Sequence, residues 1–135
     1  MLNKKLIFLS LLSLVAINSL AACPPVNTIT ITLGGHFTAQ WLGLTWIDPN
    51  PNYGQKLLGA TFSRARGSQN SDNPALIYNM ICEYDTKDGE GFLLETPFKQ
   101  TFWVIGPNWE LDDSYYICTS TNMNIFDCPF DRYNK

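Results

Sequence analysis

The chain contains four cysteines, and all of them follow the apolar segment at its N-terminus: Cys23, Cys82, Cys118 and Cys128. An even number of cysteines in such a chain is typical of a disulfide framework formed in an oxidising compartment. No two of them have Cys-x-x-Cys spacing, so neither a redox motif nor a zinc knuckle is indicated. We expect a local Cys118–Cys128 bridge and a long-range Cys23–Cys82 bridge, although parity alone leaves three pairings open.

Residues 1–21 have the three parts of a secretory signal peptide. Lys4 and Lys5 form a positive start, an apolar run covers residues 6–17, and Ser19 and Ala21 place small side chains before the cleavage site. The run is shorter than the roughly 20 residues of a spanning helix, so no transmembrane segment is expected in the mature form. We therefore expect a bacterial protein exported to the periplasm or secreted.

Residues 20–23 read Leu-Ala-Ala-Cys and also fit a lipobox, in which Cys23 would be lipidated and anchored to a membrane. Lipidation of Cys23 would leave one of the other three cysteines without a partner. Soluble export is therefore favoured over a lipoprotein.

Cleavage after Ala21 would leave residues 22–135 as a single β-rich domain, which is an ordinary domain size. Loss of Lys4 and Lys5 lowers the Lys and Arg count from 9 to 7 against 12 Asp and Glu, a net charge near −5. Without a basic cluster to overcome that charge, nucleic-acid binding is not expected. The sequence indicates no oligomeric state.

Alternating apolar and polar residues, many of them β-branched or aromatic, predict short strands, and no window has the 3.6-residue period of a helix. The predicted strands are residues 26–33, 37–47, 57–66, 75–84, 92–96, 101–105 and 115–120. Loops are predicted at 48–54 and 67–74, where turn-forming residues accumulate. Arg64 and Arg66 alternate with smaller side chains, as on the solvent face of a strand. The pattern predicts an all-β fold, a small antiparallel sandwich or barrel with two disulfides.

No catalytic residues, metal ligands or cofactor site are expected. His36 is the only histidine, so a histidine-based zinc site is excluded and nothing places a nucleophile beside it. The acidic stretch from Asp85 fails as a calcium loop because Lys87 and Gly89 occupy ligand positions; a hairpin turn is favoured.

Carboxylates offer an alternative in the form of a hydrolase, which needs only two acids several ångströms apart. The available residues are Glu83, Glu95, Glu110, Asp112 and Asp113. Every acidic protein offers such a set, so enzymatic activity stays the less favoured hypothesis.

A non-catalytic binding or interaction module is the favoured function, with a protein or a glycan as ligand. Trp46, Tyr53 and Trp109 are the candidate binding residues, because an exposed tryptophan with amides around it could form a flat platform. Trp41 and Trp46 are five apart and would point to opposite faces of a regular strand. Trp109 follows a Gly-Pro-Asn sequence, which is typical of a loop.

The cysteine contexts resemble a family of short secreted gammaproteobacterial proteins that is classed as a domain of unknown function. The shared features are Cys23-Pro24 at the mature start, Cys82-Glu83-Tyr84 before a turn, Cys118, and Cys128-Pro129-Phe130. The resemblance implies export and a compact disulfide-bonded domain, and it brings no activity. A weaker likeness to small periplasmic lysozyme inhibitors rests on β-rich, disulfide-bonded character alone and adds an enzyme inhibitor as an alternative function.

Overall fold

The computed structural model describes residues 21–52, 57–96 and 100–133, which form one antiparallel sheet of ten strands. The strands are β1 (Ile29–Ile31), β2 (Phe37–Trp41), β3 (Leu44–Ile47), β4 (Thr61–Gln69), β5 (Leu76–Asp85), β6 (Phe92–Glu95), β7 (Thr101–Val104), β8 (Trp109–Asp112), β9 (Tyr115–Thr119) and β10 (Phe130–Arg132). The helical turns in these residues are the 3₁₀ turns Val26–Thr28 and Ile125–Asp127. The predicted all-β antiparallel class is confirmed.

The strands follow the order β1-β2-β3-β6-β5-β4-β9-β8, and β10 joins through β7. Strand β5 uses one edge twice, because its residues 76–78 pair with β7 and its residues 81–84 pair with β6. Between these two stretches Asn79 adopts a left-handed φ of 53°. Strand β5 therefore pairs with β4 on one edge and with both β6 and β7 on the other.

The sheet curls around one hydrophobic core, to which strands from both ends of the order contribute. Ile29 lies at one end and Trp109 at the other, and both belong to this core. Its centre is aromatic: the rings of Trp46, Phe102 and Phe130 lie within 6.3 Å of one another, centroid to centroid. Such tilted and edge-on pairs add to the area that each ring buries.

Residues 37–47 form a hairpin, so the prediction of a single strand was wrong. Leu42 and Gly43 have φ of 57° and 69°, which makes a two-residue turn between β2 and β3. This turn usually carries Asn-Gly or Asp-Gly, so Leu-Gly gave no hairpin signal. The expectation that Trp41 and Trp46 share a strand fails with it. The Trp46 indole Nε1 donates to the Trp41 carbonyl oxygen at 3.0 Å.

Other strands begin or end at residues different from those predicted. Residues 26–28 form a 3₁₀ turn instead of a strand, because the backbone N–H and the hydroxyl of Thr28 both donate to the Pro25 carbonyl oxygen. Strand β4 begins at Thr61 and continues to Gln69, so it includes part of the loop predicted at 67–74. The predicted loop at 48–54 has no strand over its described residues, 48–52.

Two disulfides, Cys23–Cys82 and Cys118–Cys128, fasten the fold and confirm the expected pairing. The Cys23 sulfur is bonded to Cys82 and fully buried, which is incompatible with a lipid thioether at this position. This finding corrects the lipoprotein alternative.

The segment that follows the predicted cleavage site is also held by hydrogen bonds. The Trp41 indole donates to the Ala22 carbonyl at 2.9 Å, and the Tyr84 hydroxyl donates to the Pro24 carbonyl at 2.6 Å. Ala21 exchanges two backbone hydrogen bonds with Phe130, at 3.2 and 3.0 Å. The described residues thus begin at Ala21, one residue before the predicted domain start at 22. The rest of the predicted signal peptide lies outside the described residues.

Candidate functional site

The predicted aromatic platform does not form around Trp46 or Trp109. Trp46 has no exposed surface, and Trp109 retains 8%. Trp109 begins β8 instead of lying in a loop, and its indole Nε1 donates to the Pro129 carbonyl oxygen at 2.8 Å. Neither side chain offers a face to a ligand, so both predictions were wrong. Tyr53, the third predicted binding residue, lies outside the described residues.

The exposed tryptophan is Trp103 on β7, which retains 37% of its surface. Its neighbour Phe102 points to the core and is fully buried, as the two-residue alternation of a strand requires. Pairing of β7 with β10 brings Tyr133 to the Trp103 ring, edge to face with centroids 5.4 Å apart. Two aromatic rings therefore lie together on the outer face of the sheet.

A groove of about 470 Å³ lies beside this pair, and Tyr133 lines it. The other residues that line it are Asn70, Asp72, Asn73, Leu76, Tyr78, Gln100 and Thr101. We call Trp103 together with these groove residues and Tyr133 the aromatic groove. It combines aromatic rings with three amides and one carboxylate, a set that donates and accepts hydrogen bonds in several directions.

The amide side of the aromatic groove is held in place by its own turn. The Asn70 side-chain oxygen accepts from the backbone N–H of Asp72 at 2.8 Å and of Asn73 at 3.3 Å. The Asn73 side-chain oxygen accepts from the Ala75 N–H at 3.1 Å. Because both amide oxygens bind backbone donors, the amide NH₂ groups are oriented before any ligand arrives.

The carboxylates proposed for a hydrolase are spread over the outer face of the sheet. Glu83 on β5 is bound by both arginines of β4: its oxygens accept from Arg64 Nη2 and from Arg66 Nε, each at 3.3 Å. This interaction raises the pKa of Arg64, chiefly through its hydrogen bond to Glu83. Glu83 is therefore a member of an ion pair with two guanidinium groups.

The other candidate carboxylates lie on or next to two other strands, β8 and β6. Asp112 and Asp113 line a second depression with the two arginines, and Glu110 is exposed on β8. Glu95 on β6 lines a separate recess. The outer position of Arg64 and Arg66 agrees with the solvent-facing alternation predicted for them.

The remaining candidates have structural roles. His36 Nδ1 lies 2.8 Å from the Asp48 carbonyl oxygen. The Asp48 carboxylate is buried and accepts from the Asn50 N–H at 2.9 Å and the Asn52 amide at 2.7 Å. Asp88 receives the Thr86 hydroxyl and the Glu90 N–H, which lowers its pKa within the hairpin turn. Within the described residues, no group of three or more His, Cys, Asp or Glu could hold a metal ion.

The described ranges 21–52, 57–96 and 100–133 contain no helix with the length and hydropathy that a membrane crossing requires. No family model, curated protein or solved structure matches this chain.

Proposed function

We propose that this chain is an exported, non-catalytic binding module that holds a glycan against the aromatic groove. The observation that carries the proposal is the exposed Trp103–Tyr133 pair beside three amide side chains. Trp103 keeps more than a third of its surface in water, whereas the tryptophans Trp46 and Trp109 are buried. Such a position is best accounted for by a ligand that covers the ring.

Sugar rings match both halves of this surface. Their C–H faces pack on aromatic rings, while their hydroxyl groups need donors and acceptors in fixed directions. Asn70 and Asn73 offer their amide NH₂ groups as donors, and Gln100 offers a donor and an acceptor. Asp72 accepts from a hydroxyl pair. A groove of about 470 Å³ falls within the range of small-ligand sites.

Export is supported by the two disulfides, which persist in oxidising compartments. It agrees with the signal peptide predicted for residues 1–21. Membership of the secreted family that the cysteine contexts resemble remains a prediction.

The proposal is tested by glycan-array capture of the protein recovered from the culture medium or periplasm of expressing cells, a source that tests export as well. We expect one class of glycan to be retained, with at least tenfold weaker capture by Trp103→Ala and partial retention by Trp103→Phe. Leu111→Ala is the matched control, because Leu111 is also an exposed apolar residue, 50% exposed, on the distant strand β8. It should bind as the wild type does.

Unchanged capture by Trp103→Ala would contradict the proposal. Retention of a protein and of no glycan, lost in the same variant, would favour the enzyme-inhibitor alternative. Glycan hydrolysis that is abolished by Glu83→Gln or Asp112→Asn would favour the hydrolase alternative.

A further inference from the structure

A recess of about 280 Å³ on the outer face contains opposite charges that do not neutralise each other. Arg66 on β4 and Glu95 on β6 both line it, and each is the ladder partner of Ile81 on the intervening strand β5. Two strand spacings, about 10 Å, therefore separate their backbones. Within the described part of the chain Arg66 pairs with Glu83, and Glu95 makes no ion pair. We call this site the Arg66 recess.

Other polar side chains in the Arg66 recess also have no partner among the described residues. Among the described residues, the side chains of Ser68, Asn79 and Glu95 accept or donate no hydrogen bond, and Tyr115 keeps 44% of its surface exposed. Asn79 is fixed by its backbone, since its N–H donates to the Gln100 carbonyl oxygen at 3.1 Å. The recess thus presents a set of half-buried polar groups around the Ile81 side chain.

Thr96 gives an independent indication of a ligand. It lines the Arg66 recess, keeps 4% of its surface, and its hydroxyl oxygen is buried without a hydrogen-bond partner. A buried hydroxyl without a partner costs stability, so native proteins rarely leave one unless a bound molecule completes it. That oxygen has less than 1 Å² of accessible surface, so a ligand in the recess would supply the hydrogen bond only by displacing the atoms that cover it.

The charges select the chemical class of the ligand. A simple anion would meet Glu95 and the overall negative charge of the chain, while a simple cation would meet Arg66. A small zwitterion satisfies both: its carboxylate matches the guanidinium fork of Arg66, and its ammonium pairs with Glu95 beside the Tyr115 ring. We propose that the Arg66 recess binds a free α-amino acid or an equivalent ammonium carboxylate. The volume, at the lower end for ligand sites, suits a molecule of that size.

The test is calorimetric titration of the intact protein with L-serine, L-glutamine and L-leucine, each compared with its N-acetyl and its C-amide derivative. We expect at least one free amino acid to bind, and both derivatives of it to bind at least tenfold more weakly. Amide signals of Asn79 and Thr96 in a two-dimensional NMR spectrum should shift on binding. Absence of binding by all three free amino acids, or equal binding of the blocked derivatives, would overturn the proposal.

Matched variants locate the site. Arg66→Gln and Glu95→Gln should each weaken binding at least tenfold, and Thr96→Val should weaken it several-fold. Arg64→Gln and Glu110→Gln change the same residue types on the same face outside the recess, and they should bind as the wild type does. Melting curves of all five variants show that each is folded. Equal weakening by control and recess variants would refute the site, and none of these outcomes depends on Trp103 or on glycan binding.

Discussion

The two faces of the sheet use aromatic residues in different ways, and adjacent residues of β7 show the difference. Phe102 has no exposed surface and packs with Trp46 and Phe130, whereas Trp103 is 37% exposed and contacts Tyr133. On the inner face aromatic area is removed from water by the protein itself. On the outer face it stays available, and polar groups surround it. The inner face therefore stabilises the fold, whereas the outer face leaves aromatic and polar side chains accessible to solvent.

The sharpest test of this contrast replaces the two neighbours in turn. Phe102→Ala should lower the free energy of unfolding by about 3–5 kcal/mol, because it leaves a cavity among packed rings. Trp103→Ala should cost about 1 kcal/mol, a usual value for a point mutant, while it should weaken the proposed glycan capture at least tenfold. Urea unfolding followed by circular dichroism measures both. Equal losses would show that Trp103 is a core residue and would remove the contrast.

The two disulfides are equally buried, because all four cysteines have no exposed surface, but they close loops of different length. Removing each in turn therefore tests how loop length affects the free energy of unfolding. Cys23 and Cys82 are 59 residues apart, and Cys118 and Cys128 are 10 apart. Loop-closure entropy predicts losses of about 4 kcal/mol for the double variant Cys23→Ala/Cys82→Ala and about 3 kcal/mol for Cys118→Ala/Cys128→Ala. Thermal unfolding of the two variants gives their order. A larger loss from the short loop would mean that local packing, not chain entropy, decides.

The smallest expected change in stability comes from removing one tyrosine hydroxyl on the inner face and one on the outer face of the sheet. Tyr84→Phe removes a buried hydrogen bond to the Pro24 carbonyl and should cost about 1 kcal/mol. Tyr115→Phe, at a 44% exposed position, should change stability by less than about 0.5 kcal/mol.

The Tyr84 effect should depend on pH. Burial raises the pKa of Tyr84 in the folded state, so above pH of about 10 the unfolded chain ionises this hydroxyl before the folded chain does. The advantage of wild type over Tyr84→Phe is therefore complete below about pH 10 and is lost as the pH rises further. An advantage that grows above pH 10 would contradict the burial argument.

Sequence predicted the features that depend on local pattern and on cysteine parity. The hairpin of β5 and β6 and the outward position of Arg64 follow from alternation and from Gly-containing turns. The hairpin at Leu42–Gly43 was missed, because Leu in a left-handed conformation is held by its surroundings and carries no signal of its own.

Which tryptophan is exposed was predicted wrongly for a longer-range reason. Whether a tryptophan is exposed depends on which strand covers it, and sequence alone does not reveal the pairing of β7 with β10 that joins Trp103 to Tyr133. Trp109 likewise followed a turn-like sequence, but its pairing with Cys118 on β9 places it in the core. Because successive side chains of a strand point to opposite faces, placing Phe102 in the core would have identified Trp103 as outward-facing.

The disulfides join cysteines in the order in which they occur in the chain: first with second, third with fourth. A chain that enters an oxidising compartment N-terminus first presents Cys23 alone and then Cys82, well before Cys118 follows. An oxidant that joins cysteines as they emerge therefore makes the native pairs directly. If the chain is exported as proposed, its folding should accordingly require a thiol oxidant and be indifferent to the loss of a disulfide isomerase.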